Sequence, residues 1–207
     1  MSEIRTRAGS PADRREPFPT LNNPTGCTAP AVALRQKSEQ DTEFLFSVYA
    51  STRTEELAQV GWDDRQKERF LRMQFEAQRQ CYESNYPGAE FQIILVAGRA
   101  AGRLYVHRRP KEIRIMDIAV LPEFRGGGVG SGLLKDILAE GQRTGRSVSI
   151  HVEVFNPALR LYERLGFRRT ALNGVYHLLE WTPGQSEPKH SSAPCPKDSS
   201  SVIPALL

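Results

Sequence analysis

Eight consecutive residues, Arg125-Gly126-Gly127-Gly128-Val129-Gly130-Ser131-Gly132, place five glycines behind one arginine. They follow an apolar run and precede Leu133, Leu134, Ile137 and Leu138 at helical spacing. Clustered glycines cost backbone entropy and so require a reason. A helix N-terminus leaves several N–H groups without partners. Missing side chains let a phosphate approach them, and Arg125 adds a charge-assisted contact. The segment therefore reads as an anion cradle, with a tight surface turn as the plainer alternative. A Walker A loop is excluded because Gly132 is followed by Leu133 instead of Lys. GxGxxG fails in both registers, since Gly126 and Gly128 lead to Ser131, and Gly128 and Gly130 lead to Leu133. Nucleoside triphosphates and dinucleotides lose support.

These residues need a scaffold, and the chain supplies an alternation of elements to build one. Ala31 to Lys37 reads as a strand. Ser38 with Asp41 three residues later marks a helix start, continuing through Phe44, Leu45, Val48 and Tyr49. A second helix begins at Asp63 or Asp64, carries Phe70, Leu71, Met73, Phe75 and Cys81 or Tyr82, and stops before Tyr86-Pro87-Gly88. Three strands follow as a meander: Phe91 to Val96, Gly102 to His107, and Glu112 to Leu121, the first pair joined at Gly98. After the glycine turn comes a helix closed by Gly141 or by Thr144-Gly145, and then a strand from Ser147 to Val154. Asn156-Pro157 opens a short helix, Ala158 to Leu165, capped by Gly166, before closing strands at Phe167 to Thr170 and Val175 to Trp181. The order is that of an α+β fold, with a mixed, mostly antiparallel central sheet flanked by helices.

Length and composition set the outer bounds. With 207 residues, 39% apolar and 25% charged, one domain is expected at 31–181. Residues 1–30 and 182–207 are Pro-, Ser- and Thr-rich, and both are expected to be flexible tails. The formal charge of +4 suits a polyanionic ligand, yet no RNP motif or Cys/His finger is present, so no nucleic-acid partner is expected. Cys27, Cys81 and Cys195 form no CxxC, and the four histidines lie far apart, so no metal site is expected. With no apolar run long enough to span a bilayer and no signal-like start, the expected compartment is cytoplasmic, without membrane attachment. A homodimer is compatible with these features.

Arg125, Gly128 and Gly130 make the pattern R-x-x-G-x-G, and with it the segment from Met116 to Arg125 resembles the fourth strand and pyrophosphate loop of the GCN5-related N-acetyltransferase (GNAT) superfamily. Asn156-Pro157-Ala158-Leu159-Arg160-Leu161-Tyr162-Glu163-Arg164-Leu165-Gly166-Phe167 resembles that family's second signature. The resemblance covers residues 31 to 181 and is strongest over 115 to 167. It implies an acyltransferase that moves an acetyl group directly from acetyl-coenzyme A (acetyl-CoA) to a primary amine. A non-catalytic acyl-CoA sensor with the same pocket is the alternative.

By the same resemblance, backbone groups of Ile118 and Val120 pair with the pantetheine arm. The turn, Arg125, Gly126, Gly127, Gly128, Val129, Gly130 and Ser131, holds the pyrophosphate. Asn156 contacts pantetheine or a water, although it precedes Tyr162 by six positions where many relatives have seven. Tyr162 protonates the departing thiolate. The attacking amine must be neutral, so a carboxylate or a water chain ending on one is needed. Glu153 and Asp117 are the candidates, with a solvated or paired carboxylate as the plainer reading of each, and neither has an assigned face until the strand bulges are known. Arg53, Glu55 and Glu56 stand where this family often builds its acceptor wall, with an exposed polar loop as the plainer reading. Arg103, Arg108, Arg109, Lys111 and Arg114 read as a solvated hairpin cluster.

Overall fold

A computed structural model describes residues 31–184. The tail expected at 1–30, and that expected at 182–207 from residue 185 onward, lie outside the described residues. Seven strands form one sheet: β1 (Val32–Gln36), β2 (Glu90–Val96), β3 (Arg99–Arg108), β4 (Glu112–Val120), β5 (Ser147–Glu153), β6 (Arg168–Asn173) and β7 (Tyr176–Trp181). Their spatial order is β1-β2-β3-β4-β5-β7-β6, and every neighbouring pair is antiparallel except β4–β5. This is the α+β sheet expected from the sequence.

The helices are α1 (Thr42–Ser51), α2 (Thr54–Ala58), α3 (Asp64–Asn85), α4 (Val129–Thr144) and α5 (Leu159–Arg164). Single-turn 3₁₀ segments precede α1 and α4. Capping chemistry sets two helix starts. Asp63 and Gln66 form a reciprocal capping box at α3, and Ser38 with Asp41 forms another at the turn leading into α1. Asp41 is further held by a bidentate Arg35 contact at 2.8 and 2.6 Å. α2 was not anticipated, because five residues are too few to show a period.

Two apolar layers sandwich the sheet. On one face α4 and α5 bury Val129, Leu133, Leu134, Ile137, Leu138, Leu159 and Tyr162 against Ile113, Ile115, Val148, Ile150 and Leu179. On the other, α1 and α3 bury Leu45, Tyr49, Phe75 and Tyr82 against Ile93, Tyr105 and Met116. Met73, expected in this layer, is mostly exposed. Helix α4 holds glycines at 130, 132 and 141, each costing about 1 kcal/mol relative to Ala in a helix interior. Its five buried aliphatic side chains contribute roughly 1.5–3 kcal/mol apiece, so packing outweighs propensity. Gly145, in the left-handed region, ends the helix. Gly141 instead lies within it, where a Cβ would sit 2.9 Å from the Arg146 carbonyl oxygen and 3.1 Å from the Trp181 ring.

Two register shifts shape the meander. Ile94 faces Gly102 while Leu95 faces Ala100, leaving Ala101 extra on β3. Tyr105 faces Asp117 while Val106 faces Ile115, leaving Met116 extra on β4. Such a bulge bends its strand and increases the local twist. Gly102 permits the close approach of β3 and β4 here, since a Cβ at that position would stand 2.2 Å from the Ala119 carbonyl oxygen. Gly102→Ala is expected to destabilise by roughly 3 kcal/mol, the upper end of ordinary overpacking. That corresponds to a fall of about 6–12 °C in Tm, measurable by calorimetry or thermal fluorescence. An unchanged Tm would show that β3 and β4 can separate there at no cost.

Candidate active site

The site begins where two strands part. β4 and β5 run parallel but pair only from Glu112–Ser147 to Ile115–Ile150. Beyond that pair β4 carries its bulge at Met116 and stays with β3, while β5 continues to Glu153 alongside β7. Residues 116 to 120 therefore have no strand on the β5 side. Their backbone groups on that edge are unpaired by the sheet, and such groups call for a partner. Ile118 and Val120 lie on this segment, half-buried and packed against the α4 layer.

A 3₁₀ turn at Pro122–Phe124 leads from β4 into the glycine segment. Gly126 and Gly128 have φ of 78° and 80°, the left-handed conformation that favours glycine. Gly128 is the N-cap of α4. The first backbone donor engaged in the helix is the Gly132 N–H, bonded to the Gly128 carbonyl at 2.8 Å. Those of Gly126 through Ser131 have no backbone acceptor among the described residues. Beyond the adjoining backbone, no atom lies within 4 Å of a Cβ built at Gly126, Gly128, Gly130 or Gly132. The missing side chains thus leave open space over a row of unused N–H groups at the positive end of a 16-residue helix, with no acidic residue in its first turn. That is the donor set and the room a pyrophosphate requires.

Arg125 is placed differently from a simple phosphate ligand. Its Nε–H donates to the Val120 carbonyl at 2.8 Å, tying the turn back to the end of β4. Asn156 also has a local task, since its Oδ1 accepts the Ala158 N–H at 2.9 Å. The helix expected from Ala158 to Leu165 spans Leu159–Arg164, with Ala158 at the N-cap. Gly166, at φ 91°, closes it as expected.

Tyr162 projects from α5 into the α4-side core, buried and edge-on to Phe167 with ring centroids 5.5 Å apart. Desolvation raises its phenol well above the ordinary tyrosine range, and the Asp117 carboxylate adds to the rise. Glu153 ends β5 on the other side of the opening. Its Oε1 accepts the Tyr176 hydroxyl at 3.2 Å and lies 3.7 Å from Arg53 Nη1. Partial burial raises the Glu153 carboxyl above its usual range, with Arg53 opposing and Glu56 reinforcing the shift. Burial likewise pushes the Tyr176 phenol up to about 12, helped by Glu153.

Asp117 sits elsewhere. The bulge turns it toward α1 and α3, where it has no exposure and forms an ion pair of 2.6 Å with Arg103 Nη2. Burial pushes its carboxyl up, and the Arg103 guanidinium pulls against that shift. Arg103 is thus no part of a solvated hairpin. Its side chain is 1% exposed, hydrogen-bonds Gln78 Oε1 at 3.1 Å and lies over the Tyr49 and Tyr105 rings. Arg114 also departs from that reading, lying half-buried against Ser149 and His151. His151 is buried there, and desolvation with the neighbouring Arg114 lowers it to about 4.

The stretch from Arg53 into α2 is helical from Thr54 and only partly the exposed loop that was the plainer expectation. Glu55 and Glu56 are exposed, but the Arg53 side chain is only 8% exposed. It reaches Glu56 at 3.2 Å and Glu153 at 3.7 Å, so the loop is fastened to the end of β5. Tyr176 was missed altogether. Its one sequence signal was a hydrophobic closing strand, and the register that sets Tyr176 opposite Glu153 depends on a pairing no local pattern encodes.

A family model for the acetyltransferase (GNAT) domain matches residues 89–169, from the residue before β2 into β6. No curated protein matches the chain by sequence. Several solved structures share the fold. The PaiA N-acetyltransferase of Thermoplasma acidophilum, in complex with coenzyme A, superposes with a TM-score of 0.57 at 15% identity, over 73% of this chain and 99% of that one. Ard1 of Thermoplasma volcanium gives 0.51 at 24% identity, over 75% and 99%. An acetyltransferase of Thermus thermophilus gives 0.54 at 17% identity, over 73% and 96%. The GNAT-domain match therefore spans the parted strands and the glycine turn: residues 89–169 match the acetyltransferase (GNAT) domain, on a sheet whose fold these solved acetyltransferases share.

Proposed function

We propose that residues 31–181 catalyse direct transfer of an acetyl group from acetyl-CoA to a primary amine. The parting of β4 and β5 after Ile115–Ile150, with the glycine turn at its end, carries this reading. The N–H groups from Gly126 to Ser131 would receive the pyrophosphate, and the backbone of Ile118 with the N–H of Val120, whose carbonyl Arg125 already occupies, would receive the pantetheine amides. In support, the T. acidophilum structure that shares this fold holds coenzyme A. Because Arg125 Nε is bound to Val120, its terminal nitrogens are the ones left for phosphate.

The acceptor enters from the Arg53–Glu153 side and the donor from the α4 side. A neutral amine attacks the acetyl carbonyl carbon, the C–N bond forms, and the C–S bond breaks. Glu153 takes the proton the amine loses, a role to which its raised pKa suits it better than an ordinary carboxylate. Asp117, sealed in its pair with Arg103, positions β4 and does not meet the amine. Tyr162 serves the leaving sulfur as a hydrogen-bond donor. A phenol shifted above its usual range of about 10 is a much weaker acid than a thiol near 8.5. Complete proton transfer would therefore run uphill, whereas a hydrogen bond to the developing thiolate does not.

Saturating acetyl-CoA, at about 100 times its Kd, is expected to stabilise the protein by about 2.7 kcal/mol and to raise Tm accordingly. Gly130 has no positive φ and an open Cβ position, so Gly130→Glu should fold normally yet place an anion in the cradle. Its apo Tm should be retained and the acetyl-CoA shift lost; a persisting shift would refute the pyrophosphate site. Free-thiol release against a panel of amines tests turnover. Binding without turnover on any amine would favour an acyl-CoA sensor instead.

A second measurement isolates Glu153. Its unprotonated form is the base, so kcat/KM should rise with pH through a Glu153 pKa lying above the ordinary carboxylate value. Glu153→Gln should lower kcat by about 10²-fold or more and remove that acidic limb. A variant that keeps the limb would assign the base elsewhere.

A further inference from the structure

Glu153 and Tyr176 form a pair that acetyl-CoA binding does not use. The β6–β7 hairpin turns at Gly174, whose φ of 60° is left-handed, and the register then sets Tyr176, the first residue of β7, directly opposite Glu153, the last of β5. Directly opposed residues of an antiparallel pair share one face of the sheet, close enough for their side chains to meet. Tyr176 is buried, and its hydroxyl donates to Glu153 Oε1 at 3.2 Å. Arg53 Nη1 approaches the same oxygen at 3.7 Å, beyond hydrogen-bond range. Tyr176 is therefore the one hydrogen-bond donor to this carboxylate among the described residues, and Glu153 Oε2 accepts none from them.

Holding two strands together does not require this bond. β5 and β7 already share six paired residues, and the Val154 N–H donates to the Val175 carbonyl at 3.0 Å just past them. What the phenol fixes is the carboxylate. The Glu153 side chain is 24% exposed and flexible, so without a donor it would be free to change rotamer at the end of β5. With both close contacts on Oε1, the oxygen left to meet a substrate is Oε2. The charged and titratable groups that face this carboxylate are Arg53 from the α1–α2 connection, Glu56 from α2 and Tyr176 from β7. Burial raises the Glu153 carboxyl, Arg53 opposes the rise, Glu56 adds to it, and the Tyr176 hydrogen bond opposes it. Burial pushes the phenol itself up to about 12, so Tyr176 keeps its proton near neutral pH and serves as a fixed donor instead of a relay.

Resting on the transferase reading above, we propose that Tyr176 is a positioning residue: its hydroxyl pins Glu153 by Oε1 and leaves Oε2 to take the proton that the amine loses. The amine nitrogen closes on the acetyl carbon with its lone pair, its N–H bond breaks with the electrons left on nitrogen, and an O–H bond forms at Oε2. Oε1 becomes the carbonyl oxygen of the neutral acid and still accepts from the phenol, so proton transfer needs no rearrangement of the pair. Tyr176 touches neither the acceptor nor acetyl-CoA and acts through Glu153 alone.

Tyr176→Phe removes the hydroxyl and keeps the ring. Transfer is followed at saturating acetyl-CoA with glycinamide, n-propylamine and benzylamine as acceptor probes, the acetylated products being resolved by mass. The ionisation of each probe is common to every variant, so a displacement between pH profiles reports Glu153. In Tyr176→Phe, kcat should fall about tenfold and the acidic limb of kcat/KM should move to higher pH by about one pH unit, because a donor to the charged carboxylate is lost. The acetyl-CoA Tm shift should be unchanged. A ring-fluorinated tyrosine at position 176 is nearly the same size and donates more strongly, so it should move the limb to lower pH. In a Glu153→Gln background, where the limb is gone, Tyr176→Phe should change kcat by less than about twofold. A limb that stays in place in both Tyr176 variants while Glu153→Gln abolishes it, or an undiminished effect of Tyr176→Phe in the Gln background, would overturn the positioning role and leave the transferase reading intact. Should circular dichroism show that Tyr176→Phe is unfolded, the fluorinated variant decides by itself. No turnover of any probe by the wild-type protein, with the acetyl-CoA shift retained, would overturn both.

Discussion

The structure turns on one backbone irregularity, the extra residue Met116 in β4. Before it, β4 is an interior strand satisfied on both edges, by β3 and by β5. After it, β4 keeps only β3, and the edge toward β5 is open. In most sheets an unpaired interior edge would be a defect that invites collapse or aggregation. Here the two walls are anchored separately. β4 is locked to β3 by the close approach at Gly102, and β5 is held by six pairs with β7. Neither strand can close the gap without giving up its own ladder, so the opening persists and its backbone groups remain for a ligand.

The same bulge determines what lines the opening. It turns both Met116 and Asp117 toward α1 and α3, and the ion pair of Asp117 with Arg103 follows from that. Buried pairs of this kind are weak evidence for net stability, because desolvation offsets most of the Coulomb attraction, but removing one partner is costly at about 3–5 kcal/mol. The pair therefore serves as a lock on register more than as a source of folding energy. Sliding β4 by one residue would swing Asp117 into the aliphatic layer beneath α4 and leave Arg103 buried alone. Tyr82, whose hydroxyl donates to the Met116 carbonyl at 3.4 Å, and Tyr105, paired with Asp117, secure the same point from the α3 side.

How much of this could be read in advance follows a physical division. The donor side is made of backbone: unused N–H groups, an open strand edge and glycines that leave room. Such sites write themselves into contiguous sequence, because they need glycine at fixed spacing before an amphipathic helix. The turn at 125–132, the strand before it and the capped helix after Asn156 were all legible for that reason. The side proposed for the acceptor is made of side chains from the α1–α2 connection, α2, β5 and β7. Arg53, Glu153 and Tyr176 are brought together by tertiary packing alone, and each looks ordinary in its own neighbourhood. Arg103 and Asp117 illustrate the same limit. A charge in an apolar strand is a hint, but which face it takes depends on a bulge, and nothing local to Met116 announces one.

That division bears on how such a fold can change its chemistry. A donor site made from main-chain groups tolerates side-chain substitution, provided the glycines and the strand parting survive. An acceptor site made from a few side chains can be altered one residue at a time. In this chain Arg53 fastens the α1–α2 connection to the end of β5. This fastening touches neither the β4 bulge nor the glycine turn. The donor half is therefore constrained by the fold itself. The acceptor half is constrained only by the handful of contacts that hold Arg53 against Glu56 and Glu153.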